Sequence, residues 1–172
     1  MTYKVVFVSK TGNTKKVAMS IYDGIQSSAK DIVDLEEGGN TGADADVYFV
    51  GFWVNRGSAS LDVLEYLDEL EGKKIALFAT GGFRRDEAYE KKVEQQIMAW
   101  MPDDAEYLGS FFCQGKMGSS IRKKYEQMLE NPETESVARQ MIQNYDEALL
   151  HPDHSDLERA YQFAKEISDK IG

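Results

Sequence analysis

Residues 3–18 read Tyr3-Lys4-Val5-Val6-Phe7-Val8-Ser9-Lys10-Thr11-Gly12-Asn13-Thr14-Lys15-Lys16-Val17-Ala18. Tyr3 to Val8 is a nearly continuous apolar, Val-rich run, the pattern of a strand covered on both faces. From Lys15 onward, Val17, Ala18, Ile21, Tyr22 and Ile25 fall on one side of a helix. Between them lie Ser9, Lys10, Thr11, Gly12, Asn13 and Thr14, a small, hydroxyl-rich loop in which Gly12 permits a positive φ. A strand, a tight loop and a helix in this order make an anion site. The free N–H groups of the helix start point into the loop, and the helix dipole favours negative charge there. Ser9, Thr11, Asn13 and Thr14 add side-chain hydrogen bonds. A plain turn would need only Gly and Asp, so the polar side chains argue for a ligand.

Two common phosphate loops do not fit. Gly12 lacks the partner glycine and the following lysine of a Walker A loop, and Gly-x-Gly-x-x-Gly is absent. Ser9-Lys10-Thr11-Gly12-Asn13-Thr14 resembles the phosphate loop of the flavodoxin family, Ser/Thr-x-Thr-Gly-Asn-Thr, and the resemblance is strengthened by its place after an N-terminal strand. It implies that this loop wraps the 5′-phosphate of FMN.

The rest of the chain alternates strand and helix. Asp31 to Leu35 is a short strand candidate, and Glu36 to Asp44 is a Gly- and Asn-rich loop. Asp46 to Phe52 is a second buried strand, followed by a loop from Trp53 to Ser58. Ser60 is placed to cap a helix with Leu61, Leu64, Leu67 and Leu70 inward, closed by Gly72. Lys74 to Ala79 is a further apolar strand, and Thr80 to Arg85 a loop. Asp86 then caps a helix with Tyr89, Val93, Ile97, Trp100 and Met101 on one side, ended by Pro102. Tyr107 to Cys113 is the last strand. Such alternation predicts an α/β fold with a parallel sheet and right-handed crossovers. The resemblance implies a flavodoxin-like doubly wound sheet of about five strands, order 2-1-3-4-5, in three α/β/α layers, with ligands at the carboxyl ends of the strands. Those ends carry loops 9–14, 53–58, 80–85 and 114–118.

The final third departs from the short flavodoxins, which pass almost directly into a closing helix. Ser119 to Glu130 reads as an extra helix. Asn131 and Pro132 read as the start of another, with Val137, Met141, Tyr145 and Leu149 inward. The closing helix is expected to open on a Ser155-x-x-Glu158 capping box and to bury Leu157, Tyr161, Ala164 and Ile167. The chain is read as one domain over 1–172, with 116–152 a helical insertion before the closing helix. This insertion, opening at Cys113-Gln114-Gly115-Lys116-Met117, resembles that of flavodoxin-domain proteins of anaerobic bacteria. Long flavodoxins also carry an insertion, but theirs interrupts the last strand.

Bulk properties bound the function. The chain has 172 residues, enough for one domain with a real core, and 42% are hydrophobic, which argues against disorder. No apolar run approaches a membrane span, and the N-terminus reads as a strand rather than a signal peptide. A single cysteine, Cys113, excludes an internal disulfide and suggests the cytoplasm. A net charge of −10 argues against nucleic acid and anionic membranes as main partners.

If FMN binds, the resemblance assigns the isoalloxazine to the loops after the third and fourth strands. These are Phe52, Trp53, Val54, Asn55, Arg56 and Gly57, then Thr80, Gly81, Gly82 and Phe83. Trp53 is the first candidate to stack on the ring and Phe83 the second. A Trp at a strand end beside a polar loop is poorly placed for full burial, although a core aromatic is the plainer alternative. Gly57 is a candidate hinge, able to turn a peptide carbonyl toward the flavin N5, or simply a glycine that the turn requires. Gly81 and Gly82 allow close approach of the backbone to the pyrimidine edge. Cys113 at a strand end reads as an inert buried thiol. His151 and His154 read as loop and cap residues, too few for a metal site. No catalytic and no metal-ligating residue is assigned.

The resemblance therefore implies an FMN-binding electron carrier working with redox partner proteins, a reductase and an acceptor enzyme. Alternatives are a flavodoxin-fold NAD(P)H-dependent FMN or quinone reductase, an oxidoreductase in its own right, and a flavin-binding subunit of a reductase complex. Neither the partners nor the oligomeric state can be read from the residues. The loops expected around the flavin carry Lys10, Arg56, Arg84, Arg85 and Lys116, with Arg122, Lys123 and Lys124 beyond. They read either as a basic mouth on an acidic body or as solvated charges that balance nearby acid.

Overall fold

Five strands, all paired in parallel, make one sheet: β1 (Tyr3–Phe7), β2 (Lys30–Asp34), β3 (Val47–Trp53), β4 (Lys74–Gly81) and β5 (Glu106–Gln114). Their order is β2-β1-β3-β4-β5, as expected. The computed structural model describes residues 1–38 and 41–172. Gly39 and Asn40, inside the loop expected over 36–44, lie outside the described residues. The helices are α1 (Asn13–Gly24), α2 (Leu61–Asp68), α3 (Glu87–Met98), α4 (Ser119–Met128), α5 (Glu135–Ala148) and α6 (His154–Ile171).

Strand alternation sorts the core into two layers. Val5, Phe7, Val47, Phe49, Ala76, Phe78, Phe111 and Cys113 pack with Val17, Ala18 and Ile21 of α1 and Ala160, Ala164 and Ile167 of α6. Val6, Val8, Tyr48, Val50, Phe52, Ile75, Leu77, Ala79 and Phe112 pack with Val63, Leu64 and Leu67 of α2 and Val93 and Ile97 of α3. Both sheet faces are therefore covered, which is why the strands read as apolar runs rather than as alternation. Each fully buried aliphatic or Phe side chain contributes about 1.5–3 kcal/mol relative to exposure.

Several local expectations are corrected. The first helix opens at Asn13, directly after Gly12, rather than at Lys15. The strand β3 runs on through Trp53, and β4 includes Thr80 and Gly81. Leu61 is exposed, and Leu70 is buried only in the turn after α2. Asp86 does cap α3, its carboxylate accepting the Tyr89 N–H at 3.0 Å, but Tyr89 and Trp100 are exposed and the helix ends at Met98, before Pro102. Asn131 and Pro132 form a turn in which Asn131 Oδ1 accepts the Glu133 N–H at 3.0 Å, so α5 begins at Glu135. Ala138, Tyr145 and Ala148, not Val137 and Leu149, make its buried side. The capping box of α6 lies two residues earlier than expected, between Asp153 and Asp156. Asp is as good a cap as Ser, and here it also reaches the residue three positions on.

Tight approach sets two glycines. A Cβ on Gly51 would overlap the Phe78 ring on the neighbouring strand, and a Cβ on Gly24 would overlap the Tyr161 carbonyl of α6. Gly51→Ala is expected to cost about 1–3 kcal/mol in urea unfolding. Adding Phe78→Leu should recover part of that loss, because the two sites share one space. An equal loss in both backgrounds would clear the Phe78 ring of the effect.

Candidate functional site

Loops 9–14, 54–58 and 81–85 and the segment after β5 meet at the carboxyl edge of the sheet and are bonded to one another. Val54 N–H donates to Thr80 O at 2.8 Å, and Gly115 N–H donates to Gly81 O at 2.9 Å. Asn13 Nδ2 donates to Lys116 O at 2.8 Å, and the Thr14 and Thr80 hydroxyls are paired at 2.9 Å. A Cβ on Gly115 would stand 2.7 Å from the Asn13 amide nitrogen, so any other residue there would displace that amide. Lys116 N–H donates to His151 O at 3.0 Å, which brings the turn before α6 to the same edge.

The loop after β1 has the geometry of an anion cradle. Gly12 has φ +88° and precedes the helix. Ser9 Oγ accepts the Lys15 N–H at 3.1 Å, capping the helix from within the loop. The backbone N–H groups of Lys10, Thr11, Gly12, Asn13 and Thr14 meet no acceptor among the described residues. Asn13 Oδ1 is buried and likewise without a partner among them.

After β3, Asn55 and Ser58 exchange two backbone hydrogen bonds, 2.8 and 3.0 Å, around Arg56 and Gly57. Both central residues have positive φ, 51° and 80°, a two-residue hairpin turn of type I′. Such turns favour Asn-Gly, and among the described residues Arg56 is the one non-glycine with positive φ. Holding it there costs about 1–2 kcal/mol. Trp53, half-buried, lies under Lys10, whose Nζ is 5.2 Å from the ring centroid, and the Trp53 indole N–H is buried without an acceptor among the described residues.

The loop after β4 is clamped from the insertion. Gly82 O accepts from Gln114 Nε2 at 3.0 Å and from Asn144 Nδ2 at 2.9 Å. Asn144 Oδ1 in turn accepts the Arg84 N–H at 2.9 Å. Arg84 forms a forked pair with Glu147, and Arg85 another with Glu90. The Met117 side chain lies against Gly82, in the space a Cβ would take.

These parts enclose a cavity of about 590 Å³, within the size range of small-molecule sites. Of the residues singled out from sequence, Lys10, Thr11, Asn13, Trp53, Val54, Asn55, Arg56, Thr80, Gly81, Gly82 and Phe83 line it. Ser9, Gly12, Thr14, Phe52 and Gly57 do not. Phe52 is 1% exposed and belongs to the α2–α3 core layer, because strand alternation turns it away from Trp53. Phe83 is 55% exposed at the rim. Sequence reasoning placed Met117 in a loop at this edge but did not single out Tyr89, Phe112, Ile121 and Tyr125, which also line the cavity. Ile121 and Tyr125, spaced i and i+4 directly after an edge loop, were the signal available.

Cys113 also lines the cavity, but burial pushes its thiol up to about 12, so the thiolate is scarce at neutral pH. Ligand atoms of His151, Asp153 and Asp156 lie within 4.8 Å of one another. They are already engaged at the start of α6. Asp156 accepts from His151 Nδ1 (2.6 Å), the Asp153 N–H (2.9 Å) and Arg159 (2.5 Å). Burial pushes the Asp156 carboxyl up, but these bonds together outweigh it and hold the group below its ordinary range.

The flavodoxin domain model matches residues 4–165 of this chain. The flavodoxin-like domain-containing protein BilS of Clostridioides difficile (strain CD3) is 39% identical over 170 residues, 96% of each chain. Among solved structures, oxidised flavodoxin 1 from Bacillus cereus superposes with a TM-score of 0.62 over 100% of both chains at 18% identity. A flavoprotein from Lactobacillus acidophilus NCFM in complex with FMN does so with a TM-score of 0.51 at 16% identity, over 64% of this chain and 92% of that one.

Arg56→Asn should raise Tm, about 1 kcal/mol corresponding to roughly 2–4 °C at this chain length, whereas Gly57→Val should lower it. Identical melting of the two variants would mean that the turn does not hold left-handed residues in solution. A thiol reagent should leave native Cys113 unmodified at pH 8 and label it at once in denaturant, read by mass spectrometry.

Proposed function

The chain belongs to the flavodoxin domain family, and on that premise we propose that its cavity binds FMN and that the protein carries electrons between a reductase and an acceptor enzyme. The observation that carries this reading is the row of unsatisfied N–H groups over Lys10 to Thr14, set at the mouth of an aromatic-lined cavity. A phosphate would take those donors, and Thr11 can add its hydroxyl. The buried Trp53 indole N–H and Asn13 Oδ1 are a donor and an acceptor still lacking partners among the described residues, which fits a polar ligand. Trp53 and Phe83 supply flat apolar surface for a ring system. Bound FMN supplies the redox chemistry, and the protein supplies position and electrostatics. The fold of the FMN-bound Lactobacillus acidophilus flavoprotein agrees with this reading.

The wall formed by Met117, Ile121 and Tyr125 favours a second reading. An apolar slot between that wall and the flavin would receive a nicotinamide or a quinone, and the protein would then turn over NAD(P)H by itself. Stopped-flow mixing of the flavin-loaded protein with NAD(P)H separates the two. An electron carrier is reduced slowly or not at all without its reductase.

FMN titration by fluorescence tests the site directly. Flavin emission should be quenched on binding, and Thr11→Ala and Asn13→Ala should each weaken binding by about 1.5–3 kcal/mol, roughly ten- to hundredfold in Kd. Wild-type affinity in both variants would remove loop 9–14 from the phosphate role.

A further inference from the structure

The cavity mouth carries a charge sign opposite to that of the molecule. The chain has a net charge of −10. The cavity is lined by Lys10, Arg56, Arg84, Arg85, Lys116 and Lys124 against two acids, Asp86 and Glu90. Pairing then decides which charges are free. Arg84 is taken by Glu147 and Arg85 by Glu90. Asp86 is engaged as the cap of α3. Lys10, Arg56, Lys116 and Lys124 are exposed and form no ion pair among the described residues. So Glu90 is neutralised, Asp86 is held at the helix start with its charge, and four cations remain without an ion pair among the described residues. If a dianionic phosphate sits on loop 9–14, as the preceding reading requires, the four unpaired cations still outweigh it together with Asp86, and one positive charge remains in excess at the mouth.

Two further features fall on the same rim. Arg56 stands at the tip of the hairpin turn with φ 51°, a conformation that Asn or Gly would hold without strain. Strain kept at an exposed charged tip points to a use for that side chain. Phe83, 55% exposed, is an apolar ring among these cations. Aromatic rings and Arg are the residues enriched at interface centres, and exposed Lys suits the polar rim around them.

We propose that this mouth is a docking surface for an acidic face of a partner protein, with Phe83 at its centre and Arg56, Lys116 and Lys124 around it. The partner meets the chain where the flavin of the preceding reading would come nearest to the surface, and the acidic remainder of the molecule turns such a partner away elsewhere. The same arrangement disfavours basic partner proteins at the mouth.

The test maps backbone amide resonances of the isotope-labelled protein, with FMN and without it, at ~0.1 M salt, where charges more than ~10 Å apart are screened. The probes are an acidic plant-type ferredoxin, basic cytochrome c and hexacyanoferrate as a small anion. Ferredoxin is expected to shift the amides of Arg56, Phe83, Lys116 and Lys124, and cytochrome c to leave them in place. The triple variant Arg56→Glu/Lys116→Glu/Lys124→Glu should weaken ferredoxin binding by roughly tenfold or more and gain contact with cytochrome c at the mouth. Lys116→Glu/Lys124→Glu, which leaves the strained turn untouched, should move in the same direction. Cytochrome c binding at the wild-type mouth, ferredoxin shifts elsewhere, or no shift with either protein would overturn the proposal. So would shifts by hexacyanoferrate alone, which would make the mouth a small-anion site. Failure to take up FMN would sink the electron-carrier reading, while the amide map without flavin still decides the docking surface.

Discussion

A buried hydroxyl pair, Thr14 to Thr80 at 2.9 Å, ties the first turn of α1 to the end of β4. Thr14 is 1% and Thr80 2% exposed, so either hydroxyl alone would carry a desolvation cost of about 1–3 kcal/mol. Between the two strands they belong with lies β3, whose end carries Trp53 in register with Thr80. The bond therefore hangs the start of α1 over the middle of the sheet edge. It sets the free N–H groups of loop 9–14 beside the aromatic end of β3. The parallel sheet supplies the rest of the constraint, because strands of one direction gather all their carboxyl ends on one edge.

What was legible in the sequence was whatever rests on local pattern. The run Tyr3–Val8, the Ser9–Thr14 loop and the apolar strands gave the alternation of strand and helix, the family resemblance gave the order β2-β1-β3-β4-β5, and together they placed all four loops that line the cavity, 9–14, 53–58, 80–85 and 114–118. Helix faces were read less well. Leu61, Val137 and Leu149 fit a helical period but lie exposed, since periodicity shows that a face exists and not which residue at its border is covered. Phe52 illustrates the same limit in a strand. It adjoins Trp53 in sequence and faces the opposite layer, a parity that becomes certain only when the strand end is known. The far wall of the cavity was not legible, because Ile121 and Tyr125 reach it through the placement of α4, a tertiary matter.

The insertion has a structural role that its sequence conceals. Few of its side chains are buried, among them Tyr125, Ala138, Tyr145 and Ala148. It is held to the rest by polar bonds, with Asn144 and Glu147 on loop 81–85 and Lys116 O accepting from Asn13 Nδ2. Gly82 O, saturated by two side-chain amides, cannot also serve a ligand, and the loop it belongs to is fixed by α5 rather than by its own turn chemistry. The glycines at 81 and 82 thus do two jobs. Gly82 lets Met117 lie on the backbone, and the two together leave the loop dependent on the insertion for its shape.

Charge at this edge shows why counting residues is not enough. Seen in sequence, Arg84, Arg85 and Arg122 look like the strongest part of a basic mouth. In the fold each is matched by a carboxylate, Glu147, Glu90, and Glu126 with Asp146. The lining cations without an ion pair among the described residues are instead Lys10, Arg56, Lys116 and Lys124, spread over three loops and α4. Their field is short-ranged at physiological salt, where screening sets in over ~8 Å, so it matters only once another surface is nearly in contact. The net charge of −10 acts against the same approaching surface. A molecule with this distribution does not attract acidic partners from afar. On the docking proposed above, it would select the orientation in which they can touch it, the one that brings them to the open end of the cavity.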